Sequence, residues 1–166
     1  MNNKQYRFII PIGVAIILTL ISVNIVRPGR VHHESMMPTL HDGDSVLIDN
    51  VSYKFRIPKK DEIVTLWDEL NNQVLVKRVV AVGGDHIKIT RQGEFYLNGE
   101  LQEEPYLNEA EWSCDFDLDY ELPENTIFVM GDNRNVSYDS RDTLGYVDVD
   151  KIMGRIIFNL TTFKPL

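Results

Sequence analysis

The sequence predicts a mainly β, antiparallel domain preceded by one transmembrane helix. Three observations lead to this fold class: a long apolar run near the N terminus, a series of short strand-like runs after it, and turn signals between those runs. Of the 166 residues, 43% are hydrophobic and 25% are charged, a composition that excludes collagen-like and wholly disordered chains.

The apolar run covers residues 8–26 and contains 19 residues, FIIPIGVAIILTLISVNIV, without a charge. A helix rises about 1.5 Å per residue, so this run would span roughly 28 Å, close to the thickness of the hydrocarbon core. The alternatives are a cleaved signal peptide or a buried core helix, but no small-x-small cleavage site closes the run. We expect an uncleaved anchor with residues 1–7 as a short cytoplasmic tail. Basic residues lie on both sides of the run and favour this orientation only weakly.

The charge of the chain changes sign after the anchor. Residues 1–30 hold four basic residues and no acid, so the net charge of −8 for the whole chain leaves −12 for residues 31–166. An acidic domain argues against nucleic-acid binding, which requires clustered Lys and Arg side chains on the phosphates. The one cysteine, Cys114, cannot form an intrachain disulfide, so the domain must depend on its hydrophobic core.

Seven runs rich in Val, Ile, Phe and Tyr predict the strands of a domain over residues 31–166. They cover residues 45–48, 62–67, 74–82, 86–90, 93–97, 127–130 and 152–160. Asn98-Gly99 predicts a hairpin turn, and Gly83-Gly84-Asp85 predicts another turn. Residues 102–124 are acidic and poorly periodic, and we interpret them as a variable excursion from the core.

Two residues in separate segments are candidates for a nucleophile and its base. Ser35 follows the anchor closely, but a serine needs a base to remove its proton, and no G-x-S-x-G signature is present. Lys77 shares one strand face with Leu75, Val79 and Ala81. If that face is buried, desolvation lowers the lysine pKa toward the range of a working base. The alternative is an edge-strand lysine that prevents aggregation.

A third segment, residues 131–145, reads GDNRNVSYDSRDTLG. Its density of Gly, Asp, Asn and Ser is typical of a tight, hydrogen-bonded loop. Asp139 and Arg141 are two residues apart and could pair through charge-assisted hydrogen bonds that fix the loop. A plain surface turn is the alternative interpretation of this segment.

Together these segments resemble a bacterial type I signal peptidase with the single N-terminal anchor of the Gram-positive type. The resemblance rests on SMMPTL at residues 35–40, on KRVVA at 77–81 with GGD at 83–85, and on residues 131–145. It covers nearly the whole chain and is weakest at about residues 100–124. It implies the antiparallel β fold shared with SOS repressors. It also implies a single-pass protein of the cell membrane with its catalytic domain on the extracytoplasmic side.

The resemblance further implies a membrane-bound serine endopeptidase that removes N-terminal signal peptides from exported preproteins. Its partners would be membrane-bound preproteins with small-x-small cleavage sites and the lipid bilayer, with no nucleic acid. Ser35 would be the nucleophile and neutral Lys77 the general base. No metal or organic cofactor is required by this chemistry. The implied supporting residues are Ser137, which would orient the Lys77 amine, Asp139 and Arg141 as an ion pair, and Met36, which would pack beside the nucleophile.

One departure from the family pattern lies two residues before the nucleophile, where His33 replaces the usual Ser or Gly. The Ser35 backbone N–H can still bind the oxyanion, but the second donor is open, and His33 could supply it or face water. This departure leaves open a specialised relative that processes a restricted set, such as pilin or conjugation proteins. A catalytically silent, membrane-tethered binding protein on the same fold is a further alternative, disfavoured because both Ser35 and Lys77 are present.

Overall fold

The computed structural model of the protein describes residues 11–13, 25–107 and 111–166. The predicted tail at residues 1–7 and most of the predicted span at residues 8–26 lie outside this part of the chain. Among the residues described, no helix is long and apolar enough to cross a membrane.

The described residues form two antiparallel sheets, which confirms the mainly β prediction. The larger sheet has the order β1-β2-β11-β3-β4-β9-β10 with β12 paired to β11, and the smaller sheet has the order β7-β6-β5-β8. Two short 3₁₀ helices cover Ser52–Lys54 and Val149–Lys151. The strands are β1 (Val26–Arg30), β2 (Ser45–Asp49), β3 (Ile63–Asp68), β4 (Gln73–Val82), β5 (His86–Ile89), β6 (Phe95–Leu97), β7 (Glu100–Leu101), β8 (Leu118–Glu121), β9 (Thr126–Met130), β10 (Val147–Asp148), β11 (Ile152–Asn159) and β12 (Lys164–Pro165).

All seven predicted strands form, as β2, β3, β4, β5, β6, β9 and β11. Both predicted turns are also present. Asn98 and Gly99 adopt φ of 53° and 84°, the left-handed conformation that a two-residue hairpin turn requires. In the other turn Gly84 has φ of 86°, and the Asp85 N–H donates to the Val82 carbonyl at 3.0 Å.

Five strands lie outside the seven predicted runs: the two-residue strands β7, β10 and β12, and the longer strands β1 and β8. β8 occupies the end of the predicted excursion and pairs with β5 along its length. Leu118 and Tyr120 pack toward the core on one face, whereas the exposed Asp119 and Glu121 on the other face make the segment look like an acidic loop. β1 takes in Val26 and the residues after it, so the sheet begins before residue 31. An edge strand tolerates a proline, which explains why RPGR can be extended.

The core positions the segment that follows β1. Met36 and Leu40 are buried with Val31, Val46 and Ile156 in one cluster on the larger sheet. Complete burial of such a side chain contributes about 1.5–3 kcal/mol. Apolar contacts therefore hold the chain against the sheet on both sides of Ser35.

Candidate active site

Ser35 and Lys77 meet although 42 residues separate them in the sequence. The Lys77 Nζ donates a hydrogen bond to Ser35 Oγ at 2.8 Å and another to the Val76 carbonyl at 3.1 Å. Ser35 lies in the segment after β1, and Lys77 lies in β4, where it is opposite Val64 of β3. The fold therefore brings a hydroxyl into direct contact with an amine that can accept its proton.

The environment of Lys77 favours a neutral amine. Its exposed fraction is only 2%, and Leu75, Val79 and Ala81 are buried with it, as the strand pattern predicts. Burial lowers the pKa of Lys77 from an ordinary 10.5 to about 8, while the charge of Asp139 opposes this shift. A base with such a pKa is partly unprotonated near neutral pH.

The backbone of the nucleophile is held by the loop at residues 131–145. The Asn133 N–H donates to the Ser35 carbonyl at 3.0 Å, and Asn133 Nδ2 donates to the Glu34 carbonyl at 3.2 Å. Gly131 approaches so closely that a Cβ there would lie 2.4 Å from the Ser35 carbonyl oxygen. Asn133 is a functional residue that reasoning from the sequence missed, although it lies inside the GDN motif.

A buried ion pair ties this loop to β4 and to the segment after Ser35. Arg78 binds Asp132 through two hydrogen bonds, from Nε at 2.8 Å and from Nη2 at 2.6 Å. Thr39 Oγ1 donates to the same carboxylate at 2.5 Å, and Arg78 Nη1 donates to the Asp61 carbonyl at 2.9 Å. The desolvated charges are thereby fully paired, as burial requires.

The predicted pairing of Asp139 with Arg141 is present and buried. Arg141 Nε and Nη2 donate to the two carboxylate oxygens, each at 2.9 Å. Asp139 Oδ2 also accepts the Gly131 N–H at 2.9 Å, and Arg141 Nη2 donates to the Arg134 carbonyl at 2.8 Å. The pair therefore fixes the loop from within.

The expected hydrogen bond between Ser137 and Lys77 is not formed. The Ser137 hydroxyl is buried, and among the residues described it has no hydrogen-bond partner. It packs over Gly131, where a Cβ would lie 2.3 Å from Ser137 Oγ. The amine of Lys77 bonds instead to Ser35 and to the Val76 carbonyl.

The other two residues of the prediction flank the nucleophile. Met36 is buried in the cluster beneath Ser35. His33 is exposed, has φ of 70°, and donates its backbone N–H to Asp42 Oδ1 at 2.9 Å. Left-handed backbone favours glycine, which is one of the two residues that the family resemblance leads us to expect at position 33.

Two clefts meet at Ser35. One has a volume of about 310 Å³ and lies along residues 73–77 of β4. The other has a volume of about 630 Å³. The side chains that line them include Arg30, His32, His33, Val74, Leu75 and Tyr138 for the first, and His32, His33, Glu34, Asp42 and Val136 for the second. Within the described ranges, no three His, Cys, Asp or Glu side chains are grouped to hold a metal ion.

The first cleft exposes an unpaired strand edge. β4 pairs with β3 from Gln73 to Arg78, but its pairing with β9 begins only at Arg78. On that side no described strand pairs with residues 73–77. An extended peptide could therefore add as a strand beside β4 with its backbone next to the Ser35 hydroxyl.

Residues 5–161 match the family model described as signal peptidase, peptidase S26. The chain belongs to the signal peptidase family. Signal peptidase IB of Staphylococcus aureus is 34% identical in an alignment 188 residues long, which covers 99% of this chain and 93% of the relative. Thylakoidal processing peptidase 1 of Arabidopsis thaliana is 34% identical over 147 residues, covering 79% of this chain and 41% of the relative.

A solved signal peptidase I from Enterococcus faecalis V583 shares the fold, with a TM-score of 0.52 and 25% identity. The match covers 60% of this chain and 97% of that one. Family membership makes the chain a serine endopeptidase with the mainly β fold of signal peptidase I, as the resemblance implied.

Proposed function

We propose that this signal peptidase removes N-terminal signal peptides from exported preproteins with Ser35 as nucleophile and Lys77 as general base. The observation that carries the proposal is the 2.8 Å contact between Lys77 Nζ and Ser35 Oγ. Burial, which lowers the pKa of Lys77 to about 8, supports its role as a base. A buried lysine hydrogen-bonded to a serine hydroxyl is an arrangement suited to nucleophilic catalysis.

Acylation begins when neutral Lys77 accepts the Ser35 Oγ proton as Oγ attacks the scissile carbonyl. The resulting ammonium then donates a proton to the leaving amine of the mature protein, and the C–N bond breaks. An ester links Ser35 to the signal peptide. In the second half, Lys77 takes a proton from water, the hydroxide attacks the ester, and the proton returns to Ser35 Oγ.

The developing oxyanion needs donors beside Ser35. The Ser35 backbone N–H supplies one, and His33 is the candidate for the second because it lines the same cleft. Removal of one oxyanion donor typically lowers kcat about 10²–10³-fold. The identity of the second donor therefore affects the rate more than the type of reaction.

The strand edge of β4 supports selection of small-x-small sites. Side chains two residues apart in an extended peptide point to the same side. A peptide paired with residues 73–77 would direct two such side chains together into the cleft lined by Val74, Leu75 and Tyr138. Both side chains would enter the same cleft beside Ser35, so one surface of the enzyme would read the two positions together.

We also propose that residues 8–26 anchor the protein in the cell membrane, with the catalytic domain on the extracytoplasmic side. The uncharged run is long enough to span the bilayer as a helix. β1 begins at Val26, the last residue of the uncharged run, so the sheet starts where the proposed anchor ends and shares this one residue with it. Ser35 then lies at most about 30 Å from the membrane edge even with a fully extended chain.

Cleavage of a preprotein in detergent or lipid by the parent, Ser35→Ala and Lys77→Ala tests the proposal. Both variants should fold but lack activity, whereas the matched control Lys54→Ala changes an exposed lysine and should retain it. Full cleavage by Ser35→Ala or Lys77→Ala would contradict the dyad.

A panel of preproteins separates the remaining candidates. His33 and Glu34, the departure that leaves a restricted substrate set open as the second candidate function, both line the cleft at Ser35 together with Asp42. Cleavage confined to pilin-like or conjugation substrates would support that candidate. The absence of cleavage on every substrate would favour a silent binding protein.

A further inference from the structure

We propose that the acidic excursion positions the catalytic loop through three side chains, Glu104, Tyr106 and Trp112, which we call the excursion clamp. This inference rests on the proposed function of Ser35 and Lys77. The sequence predicted only a variable excursion over these residues. In the structure they cover three buried arginines, Arg78 of β4 and Arg134 and Arg141 of the loop at residues 131–145.

The strongest contact of the excursion clamp is an ion pair between Glu104 and Arg134. Arg134 Nη1 and Nη2 donate to the two oxygens of Glu104 at 2.9 and 2.5 Å. The exposed fractions of the two side chains are only 5% for Glu104 and 1% for Arg134. Such a desolvated pair stabilises a fold little compared with apolar packing, which favours a role in fixing geometry.

Aromatic rings extend the contact to the other two arginines. The Arg134 and Arg141 guanidiniums lie 4.7 and 5.0 Å from the Trp112 ring centroid, so one indole bridges both. The Arg78 guanidinium lies 4.0 Å from the Tyr106 ring centroid. The Tyr106 hydroxyl donates to Glu104 Oε1 at 2.9 Å and connects the two halves of the clamp.

Arg134 transmits this restraint to the nucleophile. Its Nε donates to the Gly131 carbonyl at 3.0 Å, three residues back along the loop. Asn133 lies between them and holds the carbonyls of Ser35 and Glu34. Release of Arg134 from Glu104 therefore frees the turn that fixes the Ser35 backbone, while the core beneath Met36 stays packed.

The test compares Glu104→Gln with the matched control Glu103→Gln, which changes the exposed neighbouring acid. Glu104→Gln should lower kcat roughly 10–100-fold with KM little changed, because a small displacement of a nucleophile has effects of this size. The control should match the parent. Rates are compared at equal folded fraction, measured by circular dichroism. A kcat for Glu104→Gln equal to that of the control would overturn the inference.

A double-mutant cycle separates positioning from a general structural effect. An Asn133→Ala background lacks the Nδ2 hydrogen bond to the Glu34 carbonyl but keeps the backbone N–H that donates to Ser35. If the restraint acts through the Asn133 side chain, Glu104→Gln should lower kcat less in this background than it does in the parent. Equal effects in both backgrounds would overturn the route through Asn133.

A second variant keeps the test decisive if Glu104→Gln does not fold. The double variant Glu104→Met/Arg134→Met replaces the buried pair with apolar side chains, which is often neutral for stability. It should fold and show the same loss of kcat, because the Gly131 contact is absent. Full kcat in this variant would refute the positioning role.

The outcome is distinguishable from a failure of the proposed function. If Ser35→Ala retained cleavage, the dyad itself would be wrong. If Ser35→Ala were inactive while Glu104→Gln and the double variant were fully active, the dyad would stand and only the excursion clamp would be refuted.

Discussion

Replacement of Lys77 by methionine should stabilise the fold while it abolishes cleavage. Burial lowers the pKa of Lys77 from 10.5 to about 8, so the folded state opposes its charge. One pKa unit corresponds to about 1.4 kcal/mol, and the charged amine therefore destabilises the folded protein by about 3 kcal/mol at pH 7. Methionine is also unbranched but carries no charge.

Methionine also loses two hydrogen bonds, from Lys77 to Ser35 Oγ and to the Val76 carbonyl. Each is worth about 1 kcal/mol, so the expected net gain in the free energy of unfolding is about 1 kcal/mol. Between about pH 8 and 10.5 the unfolded chain retains a proton that folded Lys77 has released. The stability of the parent therefore rises with pH across this window, and the advantage of Lys77→Met should shrink there.

The assay is chemical denaturation of the detergent-solubilised chain at pH 7 and at about pH 10, followed by tryptophan fluorescence. Lys54→Met is the control, because this lysine is exposed and its replacement should give no pH-dependent difference. A Lys77→Met variant less stable than the parent at pH 7 would refute the reasoning. An advantage of the same size at both pH values would also refute it.

Three further substitutions test the surroundings of the dyad. Arg141→Ala leaves Asp139 buried without its partner and should lower the free energy of unfolding by about 3–5 kcal/mol in a denaturation experiment; an unchanged midpoint would contradict this. Because the charge of Arg141 helps to lower the pKa of Lys77, any residual activity should shift to higher pH. Gly131→Ala places a Cβ 2.4 Å from the Ser35 carbonyl oxygen and should abolish cleavage. Full kcat in this variant would show that the loop can move away from Ser35 without loss of function. His33→Gly removes the strain of a left-handed backbone at a residue with a Cβ and should raise the free energy of unfolding by about 1 kcal/mol. A roughly 10²-fold loss of kcat in this variant would identify the His33 imidazole as an oxyanion donor, whereas an unchanged kcat would exclude that role.

The strands were largely predictable because their apolar residues alternate and their turns carry glycine and asparagine. The exceptions had weaker local signals. β8 alternates the half-buried Leu118 and Tyr120 with the exposed Asp119 and Glu121, and β1 contains a proline and a glycine that an edge position tolerates. In both cases the tertiary pairing with β5 or β2 decides the conformation.

The active site was predictable to a different extent. Strand alternation predicted the buried face of Lys77, but the residues alone left Ser35 an ordinary turn residue, and only the family resemblance joined the two. The contact of Asn133 with Ser35 and the pairing of Glu104 with Arg134 cross 98 and 30 residues. Such long-range polar contacts leave no periodic pattern, because hydrogen-bond geometry depends on the assembled fold.

The pH dependence of kcat/KM in the parent enzyme tests most directly whether neutral Lys77 is the base. Because kcat/KM reports the ionisation of the free enzyme, cleavage should increase with pH and level off above an apparent pKa of about 8. Below that value the rate should fall about tenfold per pH unit, since only the unprotonated fraction of Lys77 can accept the Ser35 proton. A flat profile from about pH 5 to 9 would contradict the role of Lys77 as a general base.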